Sequence, residues 1–242
     1  MSTRSTITSI ACGAAVVVAG SVLVRWRLKR RGADEALLDE DAAFTAYTPS
    51  GSQKAWVTGP GGWLTSRIMP IAEVGVYRTV AGLIDLQPED ELLDIGCGPG
   101  GFLAARAAHV RRVVGLDTSP LMLRASERRL GDRIAAGSVE LVLGNSVALP
   151  FGDATFSAAT AIYAPAKATE VFRVLRPGGR FVLADPQPEK KPTGEVTVWY
   201  GMRRLSEADY RRMFSDAGFT DVTVRLDGGN GLVAFGRKPS VE

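Results

Sequence analysis

The amino-acid sequence predicts an α/β fold: a doubly wound, mostly parallel seven-stranded sheet with helices on both faces, closed by a terminal antiparallel hairpin and preceded by an N-terminal transmembrane helix. Three observations carry this expectation. From about residue 67 onward, short apolar runs alternate with amphipathic stretches, the order that builds parallel strands covered by helices. The first two apolar runs each end in an acid, and the first opens into a glycine-rich turn, the pattern found where a parallel sheet meets a ligand. Upstream, residues 5–24 are uncharged and as a helix would span about 30 Å, the thickness of a bilayer core.

Taken in order, "RIMPIAEVGVYRTVAGLIDL" (67–86) has helical apolar spacing with an early proline, and "ELLDIG" (91–96) suits a buried parallel strand. "GFLAARAAHV" reads as a helix and "RVVGLD" (112–117) as the second strand. "SPLMLRASERRLG" reads as a helix ended by Gly131. "VELVLG", "FSAATAIY" and "RFVLAD" are the third, fourth and fifth strands, with the helix "AKATEVFRVLR" and the turn "RPGG" before the last of them. "SEADYRRMFSDAGF" begins with a capping-box pattern, Ser206 and Asp209, and ends at Gly218. "TDVTVRLD" and "GLVAFGRK", joined through "GGN", complete the sheet as a hairpin.

The apolar N-terminal segment is followed at once by "RWRLKRR" (25–31), cations with Trp26 at the depth of an interfacial aromatic. A cleavable signal peptide has its charges before the apolar core; here they come after it. The expectation is a single-pass anchor over residues 1–31, a turn-rich linker over 32–66, and one domain over 67–242 facing the cytoplasm, where the positive flank places it. Six of the 29 Lys and Arg fall in residues 1–31, but none of the 26 Asp and Glu, so residues 32–242 carry a net charge of −3. The basic character of the whole chain therefore belongs to its first segment, and no nucleic-acid partner is expected.

Two cysteines, Cys12 and Cys97, do not make a disulfide framework, and a single histidine, His109, argues against a histidine-based metal site or a Ser-His-Asp triad. Cys97 reads as small packing material in its loop, and His109, near a helix end, as structural. The chemistry is expected where "DIGCGPGG" (94–101) lies between the first strand and its helix. Glycines there let the backbone turn sharply and approach a ligand, and Asp117, ending the second strand, can accept two hydrogen bonds from a ribose diol. By spacing alone, Gly96, Gly98 and Gly101 would also satisfy a dinucleotide fingerprint.

The ordered set is more specific. Asp94 with Gly96, Gly98 and Gly100, then "DTSPLML", "GNSVALPF", "ATFSAATA", "VFRVLRPGGRFVLAD" and "LSEADYRRMFSDAGFTDVTV" together resemble the class I, seven-strand S-adenosylmethionine-dependent methyltransferases, in the branch that includes quinone and lipid methyltransferases. The resemblance implies S-adenosyl-L-methionine as cofactor and a small-molecule or lipid acceptor. It implies that Gly96, Gly98 and Gly100 pack against the methionine part of the cofactor and that Asp94 organises the loop. By the same resemblance Asp117 holds the ribose, Thr118 and Met122 border the nucleoside, and Asn145 and Ser146 face the adenine. Asn145 and Ser157 stand where that family often has an acid. Transfer from a sulfonium needs no metal and no protein nucleophile. A general base is not assigned, with Tyr163 and the stretch 186–205, including Trp199 and Tyr200, as candidates to face the acceptor. Two other readings compete: a non-catalytic cofactor-binding or scaffold protein, and an NAD(P)-dependent oxidoreductase, for which no Tyr/Lys or His constellation can be assembled.

Overall fold

The computed structural model describes residues 67, 74–186, 205–226 and 231–240. The anchor and linker expected over residues 1–66, and Trp199 and Tyr200, lie outside the described residues. Among the described residues, no helix is long and apolar enough to cross a membrane.

The elements run α1 (Val74–Ile84), β1 (Glu91–Ile95), α2 (Gly101–Arg106), β2 (Arg112–Asp117), α3 (Pro120–Ala135), β3 (Val139–Leu143), β4 (Phe156–Ile162), α4 (Ala168–Val174), β5 (Leu175–Pro186), α5 (Glu207–Asp216), β6 (Thr220–Leu226) and β7 (Gly231–Arg237). They build a seven-stranded sheet in the order β3-β2-β1-β4-β5-β7-β6. β1 to β5 pair in parallel, whereas β7 runs antiparallel to both β5 and β6. The expected hairpin is therefore present, with its second strand placed inside the sheet and its first at the edge.

Burial follows position in that order. All five residues of β1 are buried, as are the four central residues of β2, which is why these strands read as unbroken apolar runs. The edge strands β3 and β6 expose much of their length. Alternate residues feed two cores. Leu92, Val113, Ala158, Val182 and Val233 face α1, α2 and α3, where Val80, Phe102, Leu103 and Leu130 cover them. Leu93, Val114, Ala159, Phe181 and Ala234 face α4 and α5, against Val171, Tyr210 and Phe214. Phe181 stacks on Phe214 at 5.0 Å between ring centroids, and Phe219 closes the group at 5.3 Å from Phe214.

Helix ends mostly follow local chemistry. Ser119 caps α3 by accepting from the Met122 N–H, with Pro120 in the first turn. Ser206 and Asp209 form the reciprocal capping box expected for α5, and Gly218, with φ of 97°, follows its end. Besides α2, which stops at Arg106 where the expected helix runs to Val110, two boundaries differ from expectation. α3 continues through Gly131 to Ala135, and the glycine that follows its end is Gly137 at φ 74°. Gly131 sits inside the helix because its turn is held by packing of Leu130 and by ordinary helical hydrogen bonding, which outweigh one poor helix former. β5 begins at Leu175 and so takes in "RPGG", since Leu175 already pairs with Phe156 and the register shifts before Arg180 pairs with Ala158. Gly178 keeps a positive φ of 77° inside that irregular stretch.

Nothing lies within 4 Å of a Cβ built on Gly131. Gly131→Ala should therefore raise stability by about 0.5–1 kcal/mol, read as an upward shift of the thermal midpoint with an unchanged far-UV spectrum.

Candidate active site

The carboxyl ends of β1, β2 and β4 meet at one edge of the sheet, and the glycine-rich turn after β1 is fastened there by both neighbours. The N–H groups of Gly96 and Cys97 donate to the Leu116 carbonyl at 2.7 and 3.0 Å. Asp117 completes the attachment: Oδ2 accepts from the Gly98 N–H and Oδ1 from the Ser119 N–H, both at 2.8 Å. From α3, Ser126 Oγ donates to the Gly98 carbonyl at 3.0 Å and Arg129 Nε to the Pro99 carbonyl at 3.0 Å. Burial raises the Asp117 carboxyl above its ordinary range, and the hydrogen bonds from the Ser119, Gly98 and Thr118 backbone oppose that rise.

The three glycines of the turn all have positive φ, but their surroundings differ. A Cβ on Gly96 would fall 2.2 Å from Cβ of Ala164, and one on Gly100 would fall 2.5 Å from Ser126 Oγ. These two have packing reasons of their own. A Cβ on Gly98 would meet nothing closer than the Gly96 carbonyl at 4.0 Å, so the turn leaves open space at its middle residue. Asp94 is buried and points into the sheet, where its Oδ1 accepts from Thr160 Oγ1 on β4 at 2.7 Å. It thus braces β1 against β4 directly beneath the turn.

The other residues singled out from sequence lie around this edge. Thr118 is exposed at the end of β2, and Met122 is buried one turn into α3. Asn145 is exposed, and its Oδ1 accepts from the Val147 N–H at 2.8 Å in a local turn. Ser146 is buried and donates to the Pro165 carbonyl at 2.8 Å, which ties the segment after β3 to the segment after β4. Tyr163 is half-buried just past β4 with φ of 55°, a left-handed conformation uncommon for a bulky side chain; its N–H donates to the Ala184 carbonyl at 2.8 Å.

Cys97 packs under the turn, and burial, with Asp117 and Asp94 nearby, pushes its thiol well up, so it stays an un-ionised packing group. His109 is exposed beyond α2. Ser157 belongs to the opposite edge, where its hydroxyl donates to Asp90 Oδ1 at 2.7 Å and accepts from the Glu91 N–H at 2.9 Å. Among the described residues no cluster of His, Cys, Asp or Glu could hold a metal ion.

One group at the ligand edge gave no signal in sequence. Asp185, next to last in β5, accepts from the Tyr210 hydroxyl of α5 at 2.6 Å through Oδ2, while its Oδ1 is buried with no hydrogen-bond partner among the described residues. Desolvation raises the Asp185 carboxyl to about 6, and the Tyr210 hydrogen bond opposes this only in part. Tyr210 is pushed far up by its own burial and then by Asp185, with Asp209 adding to the effect.

The donor set suits an adenosyl cofactor. The two close backbone N–H donors, Gly98 on Oδ2 and Ser119 on Oδ1, leave Asp117 lone-pair capacity for a ribose hydroxyl without breaking the loop. The space at Gly98 admits a ligand against bare backbone. Comparison with known proteins agrees. Residues 92–179 match the family model described as a methyltransferase domain. The chain is 35% identical over 119 residues to demethylmenaquinone methyltransferase of Symbiobacterium thermophilum, a match covering 45% of this chain and 47% of the relative. It is 36% identical over 149 residues to the enzyme of that name in Lactiplantibacillus plantarum, covering 55% and 63%. It is 40% identical over 114 residues to 24-methylenesterol C-methyltransferase 2 of Oryza sativa subsp. japonica, covering 43% and 31%. The chain thus spans from under a third to under two thirds of these curated relatives' length. Among solved structures, a Haloferax volcanii complex of the Trm112 methyltransferase activator with its methyltransferase aligns at TM-score 0.61 and 21% identity, covering 77% of this chain and 97% of that one. An S-adenosylmethionine-dependent methyltransferase from Aquifex aeolicus aligns at 0.57 and 17%, covering 71% and 97%. Both share the fold.

Asp185 gives a pH-dependent prediction. Its carboxyl is raised in the folded chain, so the folded state holds a proton that the unfolded chain has lost between pH 3.8 and about 6. Stability contributed by this group is therefore present below that window and lost as pH rises through it. Asp185→Asn should accordingly stabilise the protein at pH 7.5 by about 3 kcal/mol, and the gain should shrink as pH falls through the window and vanish near pH 3, below it. Denaturant unfolding at the two pH values measures the difference.

Proposed function

We propose that this chain, which carries a class I S-adenosylmethionine-dependent methyltransferase domain, transfers a methyl group to a small lipophilic acceptor. The observation that carries the reading is the pairing of Asp117 with the glycine turn: a carboxylate with lone pairs to spare beside a stretch of backbone kept bare at Gly98. Bound there, S-adenosylmethionine would supply an activated methyl on a sulfonium, and the protein's share is to hold and align. Asp117 would grip the ribose hydroxyls, Gly98 would let the methionine part approach the backbone, and Met122 would border the nucleoside. The Asn145–Ser146 segment would face the adenine, with Ser146 holding it against the segment after β4.

The acceptor class is supported by the relatives named for demethylmenaquinone and methylenesterol, and by the sequence of residues 1–31. We read that segment as a single-pass anchor that keeps the domain on the cytoplasmic side of a membrane, close to a lipophilic substrate. Tethering would raise the local concentration of an acceptor that partitions into the bilayer.

Calorimetric titration of the full-length chain with S-adenosylhomocysteine tests the cofactor site. Asp117→Asn keeps an acceptor for one backbone N–H but removes the charge that grips the diol, and should weaken binding by about 10- to 100-fold without unfolding the domain. Unchanged affinity in a folded variant would reject this site.

A further inference from the structure

Two carboxylates at opposite edges of the sheet, Asp90 and Asp185, are treated differently. Asp90, at the amino-terminal edge, accepts from the Gln87 N–H, the Ser157 hydroxyl and Arg180, so both its oxygens are used. Asp185, at the carboxyl-terminal edge, has Oδ2 fixed by Tyr210 and Oδ1 left without a donor among the described residues. A buried acceptor without a partner is costly and uncommon. Here it costs more because the sequence invests a second buried polar group, Tyr210, in holding the carboxylate still. Such an arrangement is what a ligand's donor would complete.

Its place agrees with that. β1, β4 and β5 are consecutive parallel strands, so Asp185 stands two strand spacings, about 10 Å, to the side of the glycine turn, at the same edge of the sheet. The strained Tyr163 lies between them and is pinned to the residue before Asp185 through its N–H. A cofactor over β1 and β2 leaves the ends of β4 and β5 for the acceptor.

We infer that Asp185 binds the hydroxyl of a hydroxyl-bearing methyl acceptor through Oδ1 and takes its proton during transfer, while Tyr210 holds the carboxylate in position. The inference rests on the methyltransferase reading above. The atoms balance: the acceptor oxygen bonds to the methyl carbon, and that carbon's bond to the donor sulfur breaks with both electrons staying on sulfur. The hydroxyl proton moves to Asp185 Oδ1. The group recognised is a hydrogen-bond donor on the acceptor, so a phenol or quinol fits and its methyl ether does not.

The test uses the purified full-length chain saturated with S-adenosylhomocysteine and titrated with 1-naphthol and with 1-methoxynaphthalene, the same ring without the donor. The wild-type complex should bind 1-naphthol at least about tenfold more tightly than the ether. In Asp185→Asn the amide oxygen takes the Tyr210 hydrogen bond and its NH2 group faces the hydroxyl, so the preference should disappear while S-adenosylhomocysteine binds as before. Equal wild-type affinities, no binding of 1-naphthol, or a preference retained in Asp185→Asn would each overturn the assignment of Asp185 alone. If S-adenosylhomocysteine itself fails to bind, the methyltransferase reading falls and this proposal with it.

Discussion

The Asp117 carboxylate is the contact on which the rest of this edge depends. It ends β2, yet one of its oxygens reaches back to the Gly98 N–H in the turn after β1, while the other starts α3 through the Ser119 N–H. Three consecutive pieces of chain are thereby aligned by one side chain. Without it, Gly96 and Gly100 would still turn the backbone, but the Gly98 N–H would have no acceptor and the turn no fixed height above the sheet. The remaining fasteners, Ser126 and Arg129 on carbonyls of the same turn, act on a loop whose position Asp117 has already set.

The same economy explains how the two edges of the sheet divide their work. At the amino-terminal edge, Asp90 is fully satisfied and Glu91 is ringed by Arg111, Arg112 and Arg176, an arrangement that serves cohesion. At the carboxyl-terminal edge lie the positive φ of Tyr163, the open space at Gly98 and the orphaned Asp185 oxygen. At that edge a ligand can relieve both the strain and the unmet hydrogen bonding.

Much of this architecture was legible in the chain because its signals are local or repetitive. Buried parallel strands such as Glu91–Ile95 announce themselves as apolar runs, and the Ser206–Asp209 box as a cap. The glycine spacing marks the turn, and its order relative to Asp117 marks the edge. What escaped depends on distant pairs. Gly131 looks like a helix stop, but the packing of Leu130 carries α3 onward to Ala135. Ser157 looks like a departure at a ligand site, but the strand's direction puts it at the far edge with Asp90. Asp185 and Tyr210 are 25 residues apart, and no spacing rule joins a strand end to the first turn of a helix across the sheet's face. The packing role of Gly96 likewise needs Ala164, which only the β1–β4 pairing brings near.

The placement of β7 has a consequence for how the molecule comes together in time. Among the described strands β6 has no sheet partner except β7, and β7 follows it in the chain while lying between it and β5. A nascent chain can assemble the five parallel strands, with the turn and Asp117, before β7 has been made, but β6 must wait as an unpaired segment. Until then β5 presents an open edge of buried-type residues, Phe181 to Ala184, which is a template for pairing with another chain. The interval between synthesis of β5 and arrival of β7 is thus the period of greatest aggregation risk, and it ends only when a strand made after β6 slips in ahead of it.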